Sequence, residues 1–521
     1  MTTNGGMNRR EFLKTTALGA AGIASLSRPS WLWGQSQPAP AAGNLKDRPN
    51  ILVIMTDEHN ASVTGCYGNK IVQTPNLDSL SARGVTFDAC YTNSPLCVPA
   101  RLSFTAGKYA SRVSAWNNDC MLPGDDFPSL PHLMNAAGYE SILCGKMHYD
   151  STHRYGFAEL GAGNKGFMKG TGSRVPADHQ GAAEVSTRFD SARAGEDSST
   201  LRHDRLVTER TVEFLTSRQA GGKPFFLLAG YVAPHFPLTV PEKYIQNYRG
   251  KVPMPQIPAG HLEAQPRNYR MLRTAFKVDG VPDETVRNAR ECYFGLTQWV
   301  DEEIGKLLGA LAASGFADNT VVIYTADHGE NMGEHGMWWK NAMYEHAARV
   351  PLIVSWPGRW KGGQRRTAAC SLVDVVRTIA ELGGAQGPGD WNGDSLCAWM
   401  DDGKATWKDQ AVSQYYGHFI CSGFAMLRQG KYKYVYHSPA DEAHPAQREL
   451  YDLQADGGEF TNLAEKPDHK QRIEQMHAAL IKEIGEDPDQ TEARCRREIA
   501  KGYGRPMPAS AKAKAKQAAE D

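Results

Sequence analysis

"NILVIMTDE", residues 50–58, runs from Ile51 to Met55 without a polar interruption and then turns to Thr56, Asp57 and Glu58. A short, β-branched apolar run with no alternation reads as a strand buried on both faces, the pattern of a parallel sheet covered by helices. Three other runs end in the same way. "YESILCG" (139–145) leads to Lys146 and His148, "FFLLAGYVAP" (225–234) to His235, and "NTVVIYTA" (319–326) to Asp327 and His328. One polar residue after a strand marks only where the chain meets water. Four strands ending in acids, lysine and histidine point to a shared site, because the strand C-termini of such sheets line a common crevice.

Working outward, short apolar runs alternate with helical stretches from about residue 50 to 385. The expected class is therefore α/β: a large central, mostly parallel sheet flanked by helices. Residues 283–315 have helical apolar spacing and end at Gly315, so they read as one long helix with Asp301 and Glu302 on its solvated face. Residues 160–205 are Gly-rich and polar, and 250–283 are Pro-rich; both read as irregular, the first as a surface insertion near the rim of the site. Beyond "ELGGAQGPGDWNG" (381–393) the pattern changes. A hairpin is expected at Gln429 and Gly430, followed by a helix with Ile473, Met476, Leu480 and Ile484 on one face. This divides the chain into an export signal and linker (1–45), a catalytic α/β domain (46–390), a smaller C-terminal α+β domain of antiparallel sheet plus helix (391–505), and a disordered tail (506–521).

The 521 residues carry 58 Lys and Arg against 58 Asp and Glu, so net charge gives no argument for a nucleic-acid partner or a membrane surface. At the N-terminus "NRREFLKTTALGAAGIASLSRP" (8–29) sets Arg9 and Arg10 before a mildly apolar stretch too short to span a bilayer stably. It resembles a twin-arginine export signal, which implies the twin-arginine translocase as a partner, a periplasmic or secreted destination, and no transmembrane segment in the mature protein. The ten cysteines show neither metal-knuckle spacing nor disulfide density, and most read as small buried hydrophobes.

One cysteine differs. In "SPLCVPARLSFTAGKYASR" (94–112) Pro99 suits a first helical turn and Gly107 closes the helix, which puts Cys97 at a helix N-terminus. Position alone leaves two readings, a low-pKa thiolate or a buried thiol beside a plain helix cap. The C-x-P-x-R pattern from Cys97 to Arg101, together with "GKMH" (145–148), "TADHGENMGEHG" (325–336), "WWKNAMYEHAARVPLIV" (338–354) and "ELYDLQADGGEFTNLA" (449–464), resembles the sulfatase branch of the alkaline-phosphatase-like superfamily. The resemblance runs from about residue 48 to 465 and implies that family's fold.

The resemblance also implies that a formylglycine-generating maturation enzyme converts Cys97 to an aldehyde. Hydrated, that aldehyde offers two hydroxyls on one carbon, one to attack sulfur and one to expel sulfate afterwards. The implied metal ligands are Asp57, Glu58, Asp327 and His328 with residue 97 itself. The implied ion is calcium, and a nitrogen ligand leaves magnesium or manganese open. Arg101 would steady the diol, while Lys146 and Lys340 bind sulfate oxygens. His148 would hold and deprotonate the formylglycine hydroxyl, and His235 would contact the substrate and protonate the leaving alcohol.

Within the family the motifs look closest to choline-sulfatase-like members. A choline ester calls for an aromatic cage, and Trp116, Trp338, Trp339 and Tyr149 lie near the motifs. A sulfated carbohydrate fits equally well, and Asn117 and Asn118 would contact either. The alternatives are a phosphonate monoester or phosphodiester hydrolase using the same groups, and a non-catalytic binder of sulfated ligands. The presence of both an acid and a base argues against the binder.

Overall fold

The computed structural model describes residues 48–163, 174–179 and 184–502, so the export-signal reading at 1–45 and the tail at 506–521 lie outside the described residues. The strands, in chain order, are β1 (Asn50–Asp57), β2 (Val85–Tyr91), β3 (Glu140–Gly145), β4 (Ala158–Glu159), β5 (Arg193–Ala194), β6 (Phe225–Pro234), β7 (Thr239–Val240), β8 (Thr320–Ala326), β9 (Arg349–Ser355), β10 (Gln364–Ser371), β11 (Gln410–Tyr415), β12 (Phe424–Gln429), β13 (Tyr432–His437) and β14 (Gln447–Asp452). The main sheet has eight strands in the order β10-β2-β9-β8-β1-β6-β3-β4. Only β9 runs antiparallel to its neighbours, β2 and β8.

The four runs singled out from the sequence form the contiguous parallel block β8-β1-β6-β3. β1 lies at its centre, with Ile51 paired to Phe226 on one side and Val321 on the other. Its side chains divide by period two: Ile51, Val53 and Met55 join one buried cluster and Leu52 and Ile54 the other. This explains why the run is apolar throughout.

Some irregular expectations are corrected. The stretch expected to be irregular through residue 205 gives way to the helix Ser199–Ser217, and the Pro-rich 250–283 contains the helices His261–Ala264 and Arg267–Phe276. In the latter, Tyr269, Met271 and Leu272 are buried, a stripe the flanking prolines and many arginines obscured. The long helix is Asp283–Ala313. Asp301 is not solvated but fully buried, because it takes the N–H groups of Asn76 and Leu77 at the start of the helix Pro75–Ala82.

A second sheet, β11-β12-β13-β14, is antiparallel throughout. Its β12–β13 hairpin pairs Gln429 with Tyr432, so the turn is Gly430–Lys431, one residue later than expected. The helix Lys470–Ile484 buries the four residues named for its face, and a further helix, Pro488–Ala500, follows. A cluster joining Tyr91, Leu96, Met426 and Val435 ties this sheet to the main body.

Candidate functional site

The ends of the central strands place their polar residues in one buried pocket of charge. Asp57 closes β1, and Glu58 follows with a positive φ of 64°, held by the Tyr293 hydroxyl that donates to its carbonyl at 2.6 Å. Asp327 and His328 follow β8, His235 follows β6, and Lys146 and His148 follow β3. Close approach of β3 and β6 requires glycine: a Cβ on Gly230 would lie 2.2 Å from the Lys146 carbonyl oxygen. Cys97 is the first residue of the helix Cys97–Ala106, and the Val98 N–H is capped by Asn118 Oδ1 at 3.0 Å. Asn118 thus holds the helix that presents Cys97.

Every residue nominated for the site is buried, and they converge on Cys97. Its Sγ lies 3.1 Å from Lys340 Nζ, 3.2 Å from His328 Nε2 and 3.7 Å from Asp57 Oδ1, and it is hydrogen-bonded with His148. Arg101, on the next turn, forks between Asp327 (Nε to Oδ2, 2.8 Å) and Asp57 (Nη2 to Oδ2, 2.9 Å), and its Nη1 donates to the Lys146 carbonyl at 2.7 Å. Lys146 Nζ is 2.5 Å from Asp57 Oδ2. His235 Nε2 is 3.4 Å from Glu58 Oε2, and its Nδ1 donates to the Phe236 carbonyl. Arg101 therefore orients the two aspartates rather than pointing at the space beside Sγ.

The electrostatics follow from this crowding. Burial works to raise Asp57, but Lys146, His235, Arg101 and Lys340 outweigh it and hold the acid well below its usual range. Burial and the Asp57 charge oppose ionisation of Cys97, yet Lys340, His328 and Lys146 hold its thiol well below the ordinary value. Glu58, buried with less compensation, is pushed up to about 7, and Asp327 to about 6. Against the pull of its own burial, His328 is raised to about 9, chiefly by Asp327 and Cys97.

The donor set fits a divalent cation. Ligand atoms of Asp57, Cys97, Asp327 and His328 all lie within 4.8 Å of one another, and those of Asp57, Glu58 and His235 form a second such group. Both Glu58 carboxylate oxygens are buried without a hydrogen bond. Longer ion pairs, to His235 Nε2 at 3.4 Å and Lys340 Nζ at 3.5 Å, compensate this buried carboxylate only in part, and a hard cation is a partner its oxygens suit. The carboxylate field that raises His328 is the field such a cation would neutralise.

Three supporting residues escaped the sequence reading. Glu330 Oε1 accepts the N–H groups of Met332 (2.8 Å) and Trp339 (2.6 Å), fixing the loop that presents Lys340. Asp204 accepts those of Val232 and Ala233, just before His235. Tyr293 holds Glu58 as described. Asp204 and Tyr293 act on the backbone of segments 28 and 235 positions away, a link that no local spacing encodes, whereas Glu330 acts within its own loop, where the "DHGE" string hinted at it. Of the aromatic residues nominated for a cage, Trp116 packs edge-on against Tyr416, Tyr149 against Tyr155 and Trp338 against Phe189, while the Trp339 ring faces Arg188.

Comparison with known proteins adds to this geometry. A family model described as "Sulfatase" matches residues 49–385, and one described as "N-sulphoglucosamine sulphohydrolase, C-terminal" matches 333–486. The chain is 30% identical over 442 residues to the choline-sulfatase of Rhizobium meliloti (strain 1021), covering 81% of this chain and 83% of that protein. It is 26% identical over 519 residues to an N-acetylglucosamine-6-O-sulfatase of Bacteroides thetaiotaomicron, covering 85% and 88%. Two solved structures share the fold. One is described as bound to its substrate D-glucosamine-2-N,6-O-disulfate (TM-score 0.68, 24% identity, covering 85% of this chain and 99% of that one). The other is a phosphonate monoester hydrolase of Agrobacterium radiobacter (TM-score 0.69, 21% identity, covering 86% and 97%).

Proposed function

The chain belongs to the sulfatase family and is a sulfuric ester hydrolase, and from that premise we propose that it cleaves the sulfate monoester of a sugar or of choline at residue 97, matured to formylglycine. The observation that carries the reading is the ring of Lys340, His328, His148 and Asp57 around Cys97 Sγ, the atom that marks where the reacting group of residue 97 sits.

A formylglycine hydrate at residue 97 would supply the attacking and the expelling hydroxyl. A divalent cation, proposed as calcium, held by Asp57, Glu58, Asp327 and His328, would lower the pKa of that hydroxyl and polarise a sulfate oxygen. The remaining work falls to the chain's own side chains. Lys340 and Lys146 flank residue 97 and Asp57 with ammonium groups that bind sulfate oxygens and disperse their charge. His148, in contact with residue 97, takes the proton of its hydroxyl; burial lowers its pKa and so favours the neutral base. Burial lowers the pKa of His235 while the charges of Glu58 and Asp57 oppose that; its Nδ1–H goes to the Phe236 carbonyl, which leaves Nε2 to deliver a proton to the departing alcohol. Arg101 keeps Asp57 and Asp327 fixed and ionised.

The twin-arginine motif at Arg9 and Arg10 supports export to the periplasm or beyond, with the translocase and a maturation enzyme as partners. No described helix is long and apolar enough to cross a membrane. The test of function is turnover of choline sulfate, N-acetylglucosamine 6-sulfate and a phosphonate monoester by the protein purified with its maturation enzyme. Release of sulfate at the higher kcat/KM is expected; faster phosphonate turnover would overturn the reading.

A further inference from the structure

The short turn Thr187–Ser191 carries Arg188, which no catalytic role uses. Its guanidinium carbon lies 4.6 Å from the Trp339 ring centroid, 4.7 Å from Phe236 and 5.1 Å from Phe276. Phe236 in turn stacks on His235 with ring centroids 4.2 Å apart, and Trp339 immediately precedes Lys340. Arg188 is therefore one ring away from the acid and one residue away from the sulfate-binding lysine. Among the described residues its hydrogen bonds run through its backbone, to Ser186 and Ser191. Among the described residues no carboxylate forms an ion pair with its side chain. Burial lowers its pKa while the charges of Glu58, Glu330 and Cys97 oppose that, so the guanidinium is partly dehydrated and within the field of the site.

Two consequences follow from ordinary charge chemistry. A quaternary ammonium needs open aromatic faces, and Trp339, Phe236 and Phe276 already share this chain's own cation, which would also repel a second one. A guanidinium that meets aromatic rings rather than a carboxylate keeps N–H groups to offer, and their fork matches the two oxygens of a sulfate or carboxylate. We infer that Arg188 is a specificity-determining residue that receives a second anionic group of the substrate, so that the preferred esters are sugars bearing a further sulfate or carboxylate. This rests on the sulfatase reading.

The experiment compares D-glucosamine-2-N,6-O-disulfate, N-acetylglucosamine 6-sulfate and choline sulfate with wild-type, Arg188→Met and Arg188→Lys enzymes. The wild type should favour the disulfate. Arg188→Met should lower the disulfate-to-monosulfate ratio of kcat/KM by about tenfold or more, chiefly through KM, with Arg188→Lys between them. A ratio within about twofold of wild type in both variants, or a wild type that prefers choline sulfate, overturns the inference. If wild type releases sulfate from none of the three, the sulfatase reading fails instead. Calorimetric binding of the disulfate then decides the inference: about tenfold weaker binding to Arg188→Met supports it, and equal binding overturns it.

Discussion

Two buried charge clusters in this molecule are built on opposite terms. Below the second sheet, Lys433 is fully buried and donates to the Met343 carbonyl at 2.8 Å and to Glu459 Oε1 at 2.7 Å, with Glu345 Oε1 at 2.6 Å. Glu459 Oε2 takes the Glu345 N–H, and Glu345 receives the Tyr91 hydroxyl and pairs with Arg349. Every carboxylate oxygen there has a partner. At the strand ends the side chains are buried as deeply, yet both oxygens of Glu58 and Nδ1 of His148 have no hydrogen bond. In the first cluster both glutamates are held by partners at 3.1 Å or less, whereas in the second Glu58 meets only longer ion pairs, His235 Nε2 at 3.4 Å and Lys340 Nζ at 3.5 Å, and keeps capacity for a cation. Carboxylate oxygens without a hydrogen bond mark the site only together with charge and burial, because buried polar atoms without one also occur elsewhere, Arg349 Nε among them.

The widest separation is expected between two lysines. Lys340→Ala should reduce kcat by about 10²–10³-fold, the scale of losing one oxyanion-stabilising donor. Lys433→Ala leaves Glu345 and Glu459 short of their buried cation and should cost about 3–5 kcal/mol of stability, read by denaturant unfolding, while the folded fraction keeps its kcat/KM. Comparable losses of kcat in both would erase the distinction.

Metal removal sharpens the comparison. A chelator should lower the melting temperature of the wild type, and excess calcium should restore it by mass action. In the metal-free protein burial pushes Glu58 up to about 7 against its ion pairs with His235 (3.4 Å) and Lys340 (3.5 Å), so Glu58→Gln should shrink the gain that calcium confers more than it changes the unfolding stability of the metal-free protein. Equal calcium stabilisation of wild type and Glu58→Gln would mean that the carboxylate does not hold the ion. The smallest effect belongs to Asp301, another buried carboxylate whose oxygens are satisfied. Asp301→Ala strips the N–H partners from the helix Pro75–Ala82 and should cost about 1–2 kcal/mol in unfolding with turnover retained.

The central block and the charged residues that meet around Cys97 were legible in the sequence because both leave local marks. A strand buried on both faces is apolar throughout, and its polar residues gather at its end, as Asp57, His235 and Asp327 do. The motif around Cys97 likewise lies within one helical turn. What escaped acts at a distance. Asp301 looked like a helix surface residue because the N-terminus it receives belongs to a segment more than 200 positions earlier. Lys433 sits in "YKYVYH", where alternation argues for an exposed lysine, but β13 is covered on both faces. Arg188 lies in a polar stretch with no periodicity, and only the tertiary fold lays it across Trp339 and Phe236.

The central claim, that the strand ends surround an oxidised residue 97, is open to one direct reading. The tryptic peptide 84–101 contains both Cys90 and Cys97, so Cys90 serves as an internal control for thiol alkylation. In active protein the account predicts a peptide alkylated at Cys90 alone, with the aldehyde or its hydrate at position 97. Alkylation at both positions throughout a fully active preparation would contradict it.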